Sequence, residues 1–269
     1  MHSDDLKVID GAAAGGWIES RLGGEFGAVT LQVPKGYEGY ARVFHPASDP
    51  GNNSVSWADV AKACGTTAHR EMQWHAIVGQ PTYRPNDVSK WPGQVPSVGE
   101  MDIPVLDALC EVLTAHTADP DHCFFGLCTI NSWEDAFSKA ELRGHRLLKL
   151  PWGRDHITLA GPLSAVDQIL DERGGLSVVL HEKGSEPPSG DELAELRKPW
   201  RGSPHLIWPA DHSWLVATEV DFDSTLVGGS SELVEAIAAS PKLEAWEVEP
   251  TTSLAEGADK VNLVEADGG

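Results

Sequence analysis

Residues 205–248, HLIWPADHSWLVATEVDFDSTLVGGSSELVEAIAASPKLEAWEV, hold an alternating apolar segment, three carboxylates spaced two apart and a capped helix, and their reading decides the fold class. Side chains on a strand alternate with period two. Trp214, Val216, Thr218, Val220 and Phe222 therefore point one way, and Leu215, Ala217, Glu219, Asp221 and Asp223 the other. One face is core and the other starts apolar and ends acidic, as on an antiparallel strand with a wet side. Gly228 and Gly229 break the pattern. Ser230 then caps a helix to about Ala239 whose stripe is Leu233, Val234 and Ile237, and Ser240-Pro241 stops it. A Gly-Gly-Ser-Ser helix start also suits a phosphate, but no Walker lysine is present and plain capping is preferred.

A rise of about 3.3 Å per residue spaces Glu219, Asp221 and Asp223 about 7 Å apart along one face. Water, a basic partner or a cation relieves their repulsion, and all three stay open. Hard cations such as Mg²⁺ or Ca²⁺ prefer such oxygens, making Asp221 and Asp223 candidate metal ligands, although the ladder of an EF-hand loop is missing. A turn at Pro209 brings His205 and His212, which flank Trp208 and Asp211, toward Glu219 or Asp221. His205, His212 and Glu219 are then candidate acid–base residues. The plainer reading has Asp211 making a turn and His212 lying along the surface.

The block ADHSWLVATEVDFDSTLVGGS followed by LEAWEV is joined by GYARVFHPA at 39–47, SWADVA around Trp57, MQWH around Trp74 and HTADPDHC at 116–123. On these blocks, which span most of the chain, it resembles an uncharacterised actinobacterial protein family of about this length. The resemblance implies a source class and carries no activity, cofactor or catalytic residue.

A chain of 269 residues with 41% hydrophobic content can bury a full core and is not generally disordered. No run approaches the roughly 18 apolar residues of a membrane span. The start, MHSDDLKVIDGAAAGGW, lacks the basic-then-apolar pattern of a secretory signal, so a cytoplasmic location is expected. Cys64, Cys110, Cys123 and Cys128 are too few for a disulfide scaffold of this size and suit a reducing compartment. The formal charge of −21 opposes nucleic acid and anionic membranes and favours a basic protein partner. From Glu219 onward, 12 Asp or Glu face only Lys242 and Lys260. Solubility alone also produces such a balance. The basic stretch ELRGHRLLKLPWGRDH, with Arg143, Arg146, Lys149 and Arg154, pairs with the protein's own carboxylates or receives an acidic ligand.

Along the chain, 16–22 reads as a short helix and 28–33 and 40–44 as strands, and Ser56 caps a helix through Cys64. The proline-rich 80–99 is a long loop. Asp102 starts a helix that ends near His116, followed by a strand over 123–130 and a helix from Ser132 through Leu142. Segments 147–150 and 156–160 form a strand pair, 164–173 an amphipathic helix and 176–180 a strand. The polar stretch 181–204, helical at 192–198, offers a sub-boundary. Mixed element order without a βαβ rhythm predicts an α+β fold, a mainly antiparallel mixed sheet with peripheral helices. A single domain over 12–250 is expected, with 251–269 a loosely ordered acidic tail.

His116, His122, Cys123 and Cys128 invite a zinc reading, but Cys123 and Cys128 lie an odd number apart and no CxxC is present, so buried thiols are preferred. GxSxG, HExxH and HxE with PCxxC are missing too. Among ten tryptophans, Trp57, Trp133 and Trp214 read as core, whereas Trp91, Trp152, Trp200 and Trp208 sit in loops as binding candidates. The leading expectation is a non-catalytic acidic intracellular binding protein without a cofactor, immunity- or antitoxin-like in kind. It engages a basic partner through Glu219, Asp221 and Asp223, with Asp211 and Trp208 beside them. The alternative is a metal-assisted hydrolase in which Asp221 and Asp223 hold a divalent ion and His205, His212 and Glu219 do the chemistry. A sugar binder using loop tryptophans is a third reading, and the oligomeric state is left open.

Overall fold

Short apolar runs such as LVAT and STLVGG cannot satisfy their own backbone groups once buried, so they pair with one another. The computed structural model describes residues 5–82, 89–131, 137–171 and 200–263. Its first half carries β1 (Lys7–Ile9), α1 (Gly11–Glu19), β2 (Gly39–Phe44), β3 (Ala47–Ser48), β4 (Ser54–Val55), α2 (Trp57–Cys64), α3 (Trp74–Ile77) and α4 (Ile103–Ala115). There follow β5 (Cys123–Cys128), β6 (Leu148–Leu150), β7 (Arg154–Gly161), β8 (Leu170–Asp171), β9 (Trp200–Arg201) and β10 (Leu206–Pro209). The chain continues with β11 (Leu215–Thr218), β12 (Ser224–Gly229), α5 (Ser231–Ala239) and β13 (Ala245–Val248). A nine-stranded antiparallel sheet runs in the order β1-β7-β5-β10-β11-β12-β2-β13, with β6 also on β7. The fold is α+β, as expected.

Both faces of the sheet are covered. On one, Val216, Val227, Phe125 and Ile207 pack with Leu106 and Leu109 of α4 and Leu233 and Ile237 of α5. On the other, Leu215, Leu226 and Trp208 pack with Ile18 of α1 and with Val29 and Val33. A third cluster joins Phe44 to Trp57 of α2 and Trp74 and Ile77 of α3. Ser56 caps α2 by accepting from the Asp59 amide at 3.1 Å, and Ser230 caps α5 by accepting from Leu233 at 3.2 Å. Among the described residues no helix is long and apolar enough to cross a membrane.

The decisive segment departs from its reading in one respect. β11 stops at Thr218, residues 219–223 turn, and Ser224–Gly229 returns as β12 with Thr218 opposite Thr225. The three carboxylates thus do not share a strand face. Burial on both faces explains it, because continuing the strand would carry Glu219, Asp221 and Asp223 into a core with no water. Residues 28–33 hold a 3₁₀ turn over Val29–Leu31 rather than a strand, because the Leu31 and Gln32 amides donate back to the Ala28 and Val29 carbonyls, while the amides of Val29 and Thr30 donate to the carbonyls of Thr252 and Pro250. The segment expected as a helix over 164–173 is a 3₁₀ turn at Leu163–Gln168 that runs on into β8, paired with β9. The strand at 176–180, the helix at 192–198, Trp133 and most of the 181–204 linker lie outside the described residues, as does the start of the helix read from Ser132.

The loose-tail reading is corrected for residues 251–263. Asp259, 3% exposed, accepts from His69 Nε2 at 2.9 Å and from the Val261 and Asn262 amides, while Asn262 accepts from the Thr67 amide at 2.9 Å. A polar composition conceals this, because the acid is used inward to cap a turn against α3 rather than outward to water.

Candidate binding cleft

The turn between β11 and β12 decides where the acids go. Glu219, with 9% of its side chain exposed, is ion-paired with Arg154 Nε and accepts from the Asp221 amide at 2.7 Å. Asp221, 75% exposed, takes Arg154 Nη2 at 2.6 Å. Asp223 lies on the other side of the turn, 3.6 Å from Arg42 Nη2. Each acid therefore has an internal arginine, and Arg154 of the basic stretch pairs with the protein's own carboxylates, while the expected shared strand face for the three acids is absent. Burial raises the Asp223 carboxyl above the usual range, with Arg42 acting in the opposite sense. Burial also lowers Arg42 to about 10.

His212 does not converge with these acids, and His205 meets only Glu219. His205 is buried, and its Nδ1 accepts from the Cys128 amide at 3.2 Å, with the His156 ring 6.2 Å away. It shares with Glu219 a cavity of only about 30 Å³, far below the hundreds of Å³ of a substrate pocket. His212 sits in the β10–β11 turn with φ 57, stacked 4.1 Å from Trp17. Asp211 makes the turn, as its Oδ1 accepts from the Ser213 amide at 3.0 Å. Among the described residues no group of three or more His, Cys, Asp or Glu side chains is placed to hold a metal ion. The candidate hydrolase set His205, His212, Glu219, Asp221 and Asp223 is accordingly split over three places.

Trp208, read as a loop anchor, is fully buried on β10 against Phe124. Alternation explains it: Trp208 stands opposite Phe124 in the sheet register, so its ring enters the core. Trp57 and Trp214 are core, as their positions imply. Cys123 and Cys128 are buried free thiols, the former pushed up to about 12 by burial.

What the turn builds is a cleft. Phe222 and Asp223 line a cavity of about 360 Å³ together with Trp74, His75 and residues 254–256, with exposed Phe26 and the buried Arg42 and Ser224 also in its lining. Phe26 is 87% exposed, an unusual position for a large apolar side chain. A second hollow of about 260 Å³ continues it past Asp221 toward Glu219 and Arg154. On the far side a more open one of about 450 Å³ carries Glu71, Glu249 and Glu256 against Lys260. Carboxylates thus outnumber cations around an aromatic mouth. Arg42 carries the strongest sequence signal for this site: a lone cation in the apolar run GYARVF. Phe26, Trp74 and His75 carry no local signal, because distant loops bring them to the turn.

No family model, curated protein or solved structure matches the chain, so the cleft is interpreted from its own chemistry.

Proposed function

We propose that the protein is a non-catalytic acidic binding protein that engages a basic protein partner at the cleft between the β11–β12 turn and residues 71–75 and 254–256. The observation that carries the reading is exposed Phe26 and half-buried Phe222 lining one cavity with Asp221, Asp223 and Glu256, while Glu71 and Glu249 line a neighbouring hollow that shares Glu256. Aromatic centres ringed by charge are the usual anatomy of a protein docking site. The formal charge of −21 adds long-range attraction for a cationic partner and repels nucleic acid. Four free cysteines support a reducing, cytoplasmic setting. Neutralisation of a basic toxin, as an immunity or antitoxin-like factor performs, is one form this binding takes.

The test is a titration of the full chain with an arginine-rich peptide over a range of salt. Affinity should fall steeply as salt screens the rim, and Glu256→Lys together with Glu71→Lys should weaken it further. Salt-independent binding, or none at low ionic strength, would overturn the proposal.

A further inference from the structure

Resting on the basic-partner reading, we infer that one arginine side chain of the partner enters the 360 Å³ cavity and pairs with Asp223. Asp223 lines that cavity with 16% of its side chain exposed, and Arg42 Nη2 approaches no closer than 3.6 Å. Arg42 is occupied elsewhere: Nε donates to Ser224 Oγ at 2.9 Å and Nη1 to the Met72 carbonyl at 2.8 Å. The Asp223 carboxylate, partly exposed and 3.6 Å from Arg42, therefore has room for a second donor. Asp221 differs, since Arg154 already holds it at 2.6 Å. Gln73 also contributes little, because its Oε1 accepts from the Gly257 amide and its Nε2 donates to the carbonyls of Leu254 and Ala255.

The walls select the cation. Phe26 and Phe222, with the edge of the largely buried Trp74, line the same cavity as Asp223, and a planar, weakly hydrated guanidinium stacks on rings while presenting a two-pronged edge to a carboxylate. An ammonium is more strongly hydrated and makes a point contact. A neutral urea of the same shape lacks the charge that Asp223 calls for.

The experiment titrates the full chain, by NMR, with blocked glycine pentapeptides carrying arginine, lysine or citrulline at the centre. The arginine peptide should bind best, lysine more weakly and citrulline least. Asp223→Asn should weaken the arginine peptide roughly tenfold or more, the effect of losing a charged hydrogen bond. If Asp223→Asn does not fold, Phe222→Ala carries the same test from the wall, and it too should weaken arginine over citrulline. Equal binding of arginine and citrulline, tighter binding of lysine, or wild-type affinity in both variants overturns the insertion. Should the arginine-rich peptide still bind in a salt-dependent way while Asp223→Asn matches wild type, the acidic cleft stands and the arginine pocket falls. If that peptide fails to bind at all, both fall together.

Discussion

Arg42 stands 3.6 Å from Asp223 yet directs its closer hydrogen bonds to Ser224 Oγ and the Met72 carbonyl, so it stitches β2 to β12 and to the chain before α3 more than it neutralises the acid. Its guanidinium also lies 4.3 Å from the Phe44 ring centre. Arg42 is buried and Asp223 largely so, with 16% of its side chain exposed, and desolvation drives each toward its neutral form. Arg42→Met should then cost about 3–5 kcal/mol, the range for stranding one partner of a buried pair. Arg42→Lys should recover little of it, because an ammonium cannot serve Ser224, Met72 and Asp223 from one plane. Urea unfolding measures both, and a loss under about 1 kcal/mol for Arg42→Met would refute this view of the pair.

Arg154 bridges two acids of very different exposure. Asp221 is 75% exposed and Glu219 only 9%. Asp221→Asn should change stability by about 0–1 kcal/mol, as for surface pairs. Arg154→Ala should cost roughly 1–3 kcal/mol by leaving Glu219 half-satisfied in a tight space. A double-mutant cycle on Arg154 and Glu219 should return a coupling well above that of Arg154 and Asp221. Equal couplings would mean the bridge is governed by solvent at both ends.

The α+β class was legible because α2, α4 and α5 each combine a capping residue or helix-start proline with an apolar stripe, and because 123–128, 148–150 and 154–161 are short runs between turn residues. The hairpin at 219–223 was hidden. Alternation continues through Val220 and Phe222, and nothing local says that both sheet faces are covered and that the acids must leave the strand. The cleft was less legible still, since Phe26, Trp74 and Asp223 meet only through long-range packing. Period-two patterning identifies faces but not which face meets water, and that is where Trp208 and the acidic strand were misplaced.

His45 and His156 are buried and neutral, each lowered by burial from 6.5 to about 4. His45 is held at both nitrogens, Nδ1 to the Ser97 carbonyl at 2.8 Å and Nε2 to Thr225 Oγ1 at 2.9 Å. As pH falls below 6.5 the unfolded chain takes up protons that these folded histidines refuse. Stability is therefore full above that pH and declines toward pH 4, by about 1.4 kcal/mol per unit for each histidine. Asp223 and Glu244, raised by burial, act in the opposite sense and offset part of the decline. Denaturant unfolding at pH 7.5, 5.5 and 4.5 checks this slope, and His156→Gln should remove about one histidine's share. A flat wild-type profile from neutral pH to 4.5 would contradict it.

Gly99 joins the long loop before α4 to the acidic turn. It has φ +79, a Cβ built there would lie 2.5 Å from the Val220 carbonyl oxygen, and its amide donates to the Phe222 carbonyl at 2.8 Å. Gly65, which ends α2, has a similar φ of +74 but nothing within 4 Å of a built Cβ. Alanine at Gly65 should carry only the left-handed penalty of about 1 kcal/mol. At Gly99 it adds a backbone clash and should cost about 2 kcal/mol or more. Because the clash falls on the turn that supplies Phe222 and Asp223, Gly99→Ala should also weaken the arginine peptide, whereas Gly65→Ala should leave its affinity unchanged. Thermal unfolding paired with the peptide titration separates the two. Equal effects of both substitutions on binding would show that the loop does not hold the turn in place.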